Sequence, residues 1–385
     1  IQENEALDKS MQVVDEETED RIQEILKNSP INQFLNDPGV TDINFDGVKL
    51  RIQHNIFGSK IVDDVDEGEI RKLAKKIADE KKKTFNDSNP ILDTEFGFIR
   101  VSAVHTAASP EGTTLSLRIS RPRLAVSSIS EMTYNNNQEI ANLLDVLIKA
   151  ESNIIIAGRT GSGKTECQKM LVGSIPDDKV IALIEDTRDS HIKALYPNKF
   201  VYSWQTLLSD EREKKLMMSD LVKVALRNNP DWVIISETRG AEAADILDSV
   251  KTDHSIITTL HAKGAMNIPA RLVPMVRQTP AYSVMSDLMV GKEIVEFLRF
   301  GIYMRYDIVD GKIVRRIKEI VEYTDYTKEG VKGTYLYRHT NEFDEKTGEY
   351  QPKEIFNPLS KTSIDVLKDK QLYHLLPERF KREGE

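Results

Sequence analysis

The hydrophobic pattern of the first 120 residues alternates between helical and strand-like runs. Apolar residues at helical spacing predict two helices, one over 19–35 with an interruption near Pro30 and one over 67–83. Alternating apolar and polar positions, separated by turn residues, predict strands within 40–56, 98–104 and 113–119. Together these elements predict an α+β N-terminal domain over residues 21–120.

A new pattern begins after residues 121–137, which are rich in Pro, Ser and Asn, have no apolar stripe and are predicted to be a linker. Beyond them, short apolar runs alternate with helical runs, which is typical of an α/β domain with a mainly parallel sheet. The predicted strands are 153–157, 180–184, 200–204, 232–236 and 255–259, and the clearest helices are 219–227 and 241–250. Residues 266–300 are predicted to be helical, and a hairpin is predicted around Asp310-Gly311. This domain is placed at 138–320, and residues 321–385 are predicted to form an appendage of a hairpin and a helix.

Composition and charge narrow the class of protein. The chain has 385 residues, of which 39% are hydrophobic and 30% are charged, as in a globular protein of two or three domains. Residues 1–20 contain eight acids and one lysine and are predicted to be a disordered arm. The net charge of −9 disfavours a dedicated duplex-DNA binder, although it leaves room for a locally basic channel.

The cysteine count and the length of the apolar runs indicate the cellular compartment of the protein. Cys167 is the single cysteine, which excludes an internal disulfide and a Cys-rich metal site. No apolar run approaches the roughly 18–20 residues of a membrane span, and no signal-peptide pattern opens the sequence. We therefore expect a cytoplasmic protein with no direct membrane span.

The segment Gly158–Thr165 matches the phosphate-binding P-loop pattern G-x-x-x-x-G-K-[ST]. An apolar, β-branched run precedes it and a helical run follows it, as the motif requires. Its glycines let backbone N–H groups face phosphate oxygens, and the helix N-terminus adds partial positive charge. Lys164 is predicted to reach the β- and γ-phosphates of ATP, and Thr165 to bind Mg²⁺. The predicted ATP-binding residues here are Gly158, Arg159, Thr160, Gly161, Ser162, Gly163, Lys164, Thr165 and Glu166.

Two acidic residues follow apolar strands, at the place where α/β sheets carry functional groups. Glu185 follows the run 181–184, and Glu237 follows the run 232–236 in a pattern like Walker B that ends in glutamate. Phosphoryl transfer needs a held metal and an oriented water. We predict that Glu237 holds Mg²⁺ through water and that Glu185 polarises the attacking water. The alternative is that one or both are solvated loop charges.

Histidines and arginines add further candidates. His254 and His261 are seven residues apart, which directs them to opposite faces of a strand and argues against a shared metal site. His261 is either structural, as lone histidines usually are, or a sensor of the γ-phosphate. Arg100, Arg118 and Arg121 are candidate ATP ligands, in the same or a neighbouring subunit, because a guanidinium suits phosphate oxygens. The alternative is a solvated basic edge.

Four linked segments resemble the Walker A, Asp, Walker B and His boxes of the type II/type IV secretion ATPase superfamily, the traffic ATPases. They are Gly158–Thr165, Ile184–Asp186, Asn229–Asp231 with Glu237–Ala243, and Thr252–His254 with Thr259–Ala262. The runs Asn89–Asp93 and Leu115–Arg118 are also similar to the N-terminal domain of that superfamily. The resemblance is nearest to the conjugative-transfer and Tad-pilus branch.

The resemblance implies a RecA-like P-loop NTPase domain, an N-terminal α+β domain that clamps nucleotide, and a homo-hexameric ring. It implies that Glu185 is the catalytic base, that Glu237 lies on Mg²⁺, and that His261 and Arg239 take part in coupling. Two positions depart from the family's pattern, since Asp253 stands where glycine is usual and Glu166 where a second hydroxyl residue is common.

The predicted function is therefore ATP-driven domain motion that powers a membrane-embedded secretion, conjugation or type IV/Tad pilus machine from the cytoplasmic face of the membrane. The predicted partners are inner-membrane proteins of that machine and, indirectly, a transported protein or nucleoprotein. The alternatives are a RecA-like nucleic-acid motor and a nucleotide-dependent scaffold with negligible turnover.

Overall fold

The structure, a computed structural model, describes residues 19–63, 65–207 and 215–382. It contains two compact units. The first comprises the described residues up to Arg121 together with Ile308–Val314, and the second comprises Pro122–Asp307 and the described residues from Arg315 onward. The predicted acidic arm lies outside the described residues except for Glu19 and Asp20, which begin the first helix.

The first unit is a six-stranded antiparallel sheet with helices on one face. Its elements are α1 (19–27), α2 (Asn32–Leu35), β1 (Val40–Phe45), β2 (Leu50–His54), β3 (Gly58–Val62), α3 (Glu67–Glu80), β4 (Ile91–Phe96), β5 (Ile99–Val104) and β6 (Thr114–Ile119). The sheet order is β3-β2-β1-β6-β5-β4. Leu115 and Leu117 of β6 pack in one core with Ile70 and Ile77 of α3, whereas Arg118 on the other face is exposed. Edge strand β3 was not predicted, because most of its side chains are exposed and only its main-chain pairing with β2 defines it.

The second unit is built on a nine-stranded sheet with apolar cores on both faces. Its first elements are α4 (Gln138–Lys149), β7 (Ile154–Gly158), α5 (Lys164–Gly173), β8 (Val180–Glu185), α6 (Ile192–Leu195), β9 (Phe200–Gln205), α7 (Met218–Arg227), β10 (Trp232–Ile235), α8 (Glu242–Val250) and β11 (Ser255–Leu260). They are followed by α9 (Ile268–Val276), α10 (Pro280–Ser283), α11 (Asp287–Phe297), β12 (Phe300–Val309), β13 (Lys312–Thr327), β14 (Gly330–Asp344), β15 (Glu349–Phe356) and α12 (Lys361–Asp369). The tip of the β12–β13 hairpin, Ile308–Val314, is the part of these strands that belongs to the first unit. The sheet order is β15-β14-β13-β12-β7-β11-β10-β8-β9.

The central strands of this sheet run parallel, from β12 through β7, β11, β10 and β8 to β9. Strand β7 is apolar throughout because both of its faces are buried. Ile154 and Ile156 pack in the core on one face of the sheet, and Ile155 and Ala157 pack in the core on the other face. This arrangement places the carboxyl ends of β7, β11, β10 and β8 next to one another along one edge.

Two segments differ from the predicted organisation. Residues 121–137, predicted as a linker, contain short 3-10 turns whose Ile129 and Met132 are buried in the core of the second unit. Strand β13 continues through residue 320, where the predicted appendage begins, so that β13, β14 and β15 extend the same sheet. The polar positions along β13, β14 and β15 follow no regular alternation, so the sequence pattern does not show that these strands continue the sheet. None of the helices in the described part of the chain combines the length and the apolar composition that a membrane crossing requires.

Candidate functional site

The P-loop connects the end of β7 to the start of α5. Gly161 and Gly163 have φ angles of +76° and +95°, in the left-handed region that glycine adopts without strain. A Cβ atom at Gly161 would have no neighbour within 4 Å among the described residues, so the loop borders an open cradle. Gly158, the first glycine of the motif, is needed for a steric reason. A Cβ at this position would collide with Ser162 Oγ and lie 2.5 Å from the Met304 carbonyl oxygen.

Lys164 lies against its own loop. Its Nζ donates to the carbonyl oxygens of Gly158 at 3.0 Å and Arg159 at 3.3 Å, and only 9% of the residue is exposed. The ammonium is therefore held against the main chain of the loop.

A chain of polar contacts leads from Lys164 across the strand ends. His261, which follows β11, lies with Nδ1 2.9 Å from Gly158 O and 3.5 Å from Lys164 Nζ. Its Nε2 is 3.0 Å from Glu237 Oε1. Arg239 Nη2 donates to Glu237 Oε2 at 2.8 Å. The structure thus brings together four predicted site residues that are separated by up to 97 positions.

Glu237 is held in its charged form. Burial alone would raise the pKa of this carboxyl, but the hydrogen bond and charge of Arg239, with the charges of His261 and Lys164, lower the pKa below its ordinary value. The Glu237 carboxylate, joined to the P-loop through His261, and the hydroxyl of the half-buried Thr165 at the start of α5 are oxygen donors of the kind that suits Mg²⁺, which commonly uses one or two protein oxygens together with phosphate and water.

Glu185 has a different environment. Its side chain is almost fully buried at the end of β8, and burial raises the pKa of the carboxyl, although hydrogen bonds from Ser190 oppose the shift. The Ser190 N–H donates to Glu185 Oε1 at 3.0 Å. Among the described contacts, Glu185 does not belong to the polar chain of Lys164, His261, Glu237 and Arg239.

Its neighbour Asp186 does belong to that chain, and no role was predicted for it. Asp186 Oδ2 lies 3.7 Å from Arg239 Nη1, and its Oδ1 accepts a hydrogen bond from Thr206 Oγ1 at 3.2 Å. Arg239 therefore bridges the acids that follow β8 and β10. The signal for Asp186 was present, since it is the second acid after a buried strand, but sequence alone does not tell which of two adjacent acids faces the partner strand.

The two departures from the family pattern have local explanations. Glu166 accepts a hydrogen bond from the Ala125 N–H at 3.1 Å and pairs with Lys169 at 2.7 Å, so its carboxylate binds the segment before α4. Asp253 has a φ angle of +70°, which explains why glycine is usual at this position. His254, next to it, contacts Thr252 Oγ1 at 3.2 Å.

The three N-terminal arginines belong to the first unit and occupy different settings. Arg100 and Arg118 are cross-strand neighbours on the polar face of the sheet, and Arg100 forms an ion pair with Asp93 at 3.3 Å. Arg121 donates to four main-chain carbonyls, those of Leu35, Asp37, Pro38 and Val40, at 2.7–3.2 Å. In this conformation the Arg121 guanidinium holds the loop that leads into β1.

Comparisons with known proteins identify the family. Residues 71–298 match the family described as "Type II/IV secretion system protein". An uncharacterized protein of Bacillus anthracis is 31% identical over 338 residues, which cover 85% of this chain and 74% of that protein. The type IV secretion system protein VirB11 of Bartonella quintana is 26% identical over 296 residues, covering 66% of this chain and 81% of VirB11.

A solved structure supports the predicted fold. The Legionella pneumophila ATPase DotB superposes with a TM-score of 0.57 at 20% identity, covering 80% of this chain and 81% of DotB. The predicted fold class, a RecA-like P-loop domain preceded by an α+β N-terminal domain, is confirmed. The match over more than half of the sequence shows that the chain belongs to the type II/IV secretion system protein family.

Proposed function

We propose that the chain binds ATP with Mg²⁺ and hydrolyses it to drive a membrane-embedded secretion, conjugation or pilus machine. One observation carries the proposal: the P-loop lysine is joined through His261 to the charged Glu237, so the loop, the His-box histidine and the Walker-B-like acid form one connected site.

Each residue of this site is proposed to have a separate role in phosphoryl transfer. The loop N–H groups and Lys164 receive the phosphates. Mg²⁺, when bound, neutralises phosphate charge, and Thr165 and Glu237 would hold it. Glu185 acts as the general base, because its raised pKa makes it a stronger proton acceptor than an ordinary carboxylate.

Coupling is proposed to run through His261 and Arg239. His261 contacts both the Gly158 carbonyl and Glu237, so it responds to any movement of the loop relative to the strand ends. Arg239 carries the connection to Asp186 at the end of β8. Loss of the γ-phosphate would therefore alter several strand ends at once.

The wider proposal rests on family membership. A ring of six subunits would let Arg100 and Arg118 of the N-terminal domain reach nucleotide in the same or a neighbouring subunit. The partners would be inner-membrane proteins of the machine, met at the cytoplasmic face of the membrane. A transported protein or nucleoprotein would be moved indirectly.

Turnover measurements test the catalytic proposal. Lys164→Ala should abolish ATP hydrolysis, whereas Glu237→Gln and Glu185→Gln should slow turnover and leave ATP binding largely intact. Lys149→Ala is the matched control, because Lys149 pairs with Asp145 on α4 and none of its described contacts is with the loop. Hydrolysis at the wild-type rate by Lys164→Ala would refute the assignment of the P-loop.

Assembly and partners need separate measurements. Light scattering with and without a non-hydrolysable ATP analogue should show a hexamer that the analogue favours, and a strict monomer under both conditions would contradict the ring.

Turnover that rises on addition of nucleic acid would favour the alternative of a nucleic-acid motor. Tight ATP binding with turnover near zero would favour the scaffold.

A further inference from the structure

We infer that Arg315 is a positioning residue for the phosphate-binding loop, acting through the carbonyl of Gly161. The inference rests on the proposed ATP-binding function and adds a residue that lies outside the motif, 154 positions from its contact. Arg315 comes from β13, on the opposite side of β12 from the P-loop strand β7.

The contact has a defined geometry. Arg315 Nε donates to Gly161 O at 2.7 Å. The aliphatic stem lies beside Gly163, since a Cβ at Gly163 would be 3.3 Å from Arg315 Cδ and 3.5 Å from Arg315 Cβ. One side chain therefore donates to Gly161 and lies beside Gly163, the two left-handed glycines of the loop.

A side-chain donor on a loop carbonyl fixes the orientation of that peptide. A segment that turns successive N–H groups toward an anion does not use those groups to bond its own carbonyls, so donors to the carbonyls come from elsewhere. Lys164 supplies donors to the Gly158 and Arg159 carbonyls, and Ser162 N donates to Arg159 O at 3.2 Å. Arg315 supplies the donor at Gly161, in the exposed part of the loop.

The charge of Arg315 fits the same role. Burial lowers the pKa of its guanidinium, while the charges of Glu166 and Tyr306 oppose that shift. An arginine stays protonated at any physiological pH, so a permanent cation lies against the Gly161 carbonyl. A positive charge at the oxygen end of that peptide polarises its N–H group toward an anion.

Two substitutions separate the hydrogen bond from the charge. Arg315→Ala removes both, whereas Arg315→Lys keeps a cation and the aliphatic stem but places a methylene where Nε stands. Arg305→Ala is the matched control, because Arg305 also lies in the β12–β13 hairpin and pairs with Asp307 at 3.3 Å, and none of its described contacts is with the loop. The affinities of each variant for ATP and for inorganic tripolyphosphate would be measured by titration, alongside kcat, KM and thermal unfolding.

We expect Arg315→Ala and Arg315→Lys to bind both ATP and tripolyphosphate about 10- to 100-fold more weakly, as the loss of a charge-assisted hydrogen bond would produce. KM should rise with kcat nearly unchanged, because the loop grips phosphate in the ground and transition states alike. Arg305→Ala should keep the affinities of the wild type.

The outcomes separate this inference from the function on which it rests. If the wild-type chain binds ATP and Arg315→Lys binds it with unchanged affinity, the positioning role is refuted while the proposed function stands. If the wild-type chain binds neither ATP nor tripolyphosphate, the proposed function itself fails. A fall in the unfolding temperature of Arg315→Lys with unchanged affinities would show a role in folding only and would also refute the inference.

Discussion

Replacing Gly158 with alanine should damage both stability and catalysis, because the site of the new methyl group is already occupied. The added Cβ would lie 2.5 Å from the main-chain oxygen of Met304, which is paired with Gly158 across β7 and β12. Real Cβ contacts are essentially never shorter than 3.0 Å, so at least one strand must move by about 0.5 Å. A main-chain oxygen in a sheet cannot move alone.

The size of the effect follows from that shift. Overpacking of this kind typically costs about 1–3 kcal/mol in the free energy of unfolding. The Gly158 carbonyl also holds Lys164 Nζ at 3.0 Å and His261 Nδ1 at 2.9 Å, so the displacement passes directly into the site. Since a misplacement of about 1 Å can cost about 100-fold in rate, we expect turnover to fall about 10- to 100-fold.

The assay combines chemical denaturation with steady-state ATP hydrolysis on the same preparations. Gly311→Ala is the control, because Gly311 has a φ of +72° and its Cβ position has no atom of the described residues within 4 Å, so it tests conformational strain without a collision. That variant should lose about 1 kcal/mol of stability and keep its turnover. Wild-type stability and turnover in Gly158→Ala would refute the steric argument.

Three further predictions concern single side chains. Glu185→Gln should slow hydrolysis and stabilise the fold at neutral pH. Because burial raises the folded-state pKa of Glu185, the wild type loses stability as pH rises from about 4.5 through that pKa. The variant has no carboxyl at this position and should not show this loss. The difference in unfolding free energy between variant and wild type should therefore be larger at pH 7 than at pH 4, and a constant difference would contradict the buried-charge argument. Asp253→Gly should raise the free energy of unfolding by about 0.5–1 kcal/mol, because relief of the φ of +70° outweighs the added chain entropy; a less stable variant in urea titrations would count against this reasoning. Arg121→Ala should cost about 2–3 kcal/mol by loss of its hydrogen bonds to four carbonyls, whereas Arg100→Ala, which breaks an exposed ion pair, should cost less than about 1 kcal/mol; equal losses on denaturation would refute the distinction.

Much of the fold could be predicted from the sequence, because the signals are local. The fully apolar run before the P-loop reports a strand buried on both faces, and the Lys164–Thr165 pair marks where the helix begins. Where the local signal was weak, prediction fell short. Strand β3 exposes most of its side chains, and β13 mixes buried and polar positions through residue 320, so neither shows a clean period.

The candidate site shows the same division. The sequence by itself determined the family, the phosphate loop and the acids and histidine that follow apolar strands, because each is encoded in contiguous residues. Only the tertiary structure decided which of these side chains meet. The order β7-β11-β10-β8 places His261 between Lys164 and Glu237, and it lets Arg239 reach Asp186.

Two arginines illustrate the physical reason. Arg121 as an ATP ligand stays a prediction, and in this structure its guanidinium holds four carbonyls of the loop before β1. No role was predicted for Arg315 from the sequence, but its Nε donates to the Gly161 carbonyl oxygen in the P-loop. An arginine's role depends on which acceptors lie within about 3 Å of its fork, and those acceptors are main-chain oxygens with no mark in the sequence. Chain periodicity determines local structure, but strand order and packing determine the distances between residues far apart in sequence, and those distances set the chemistry.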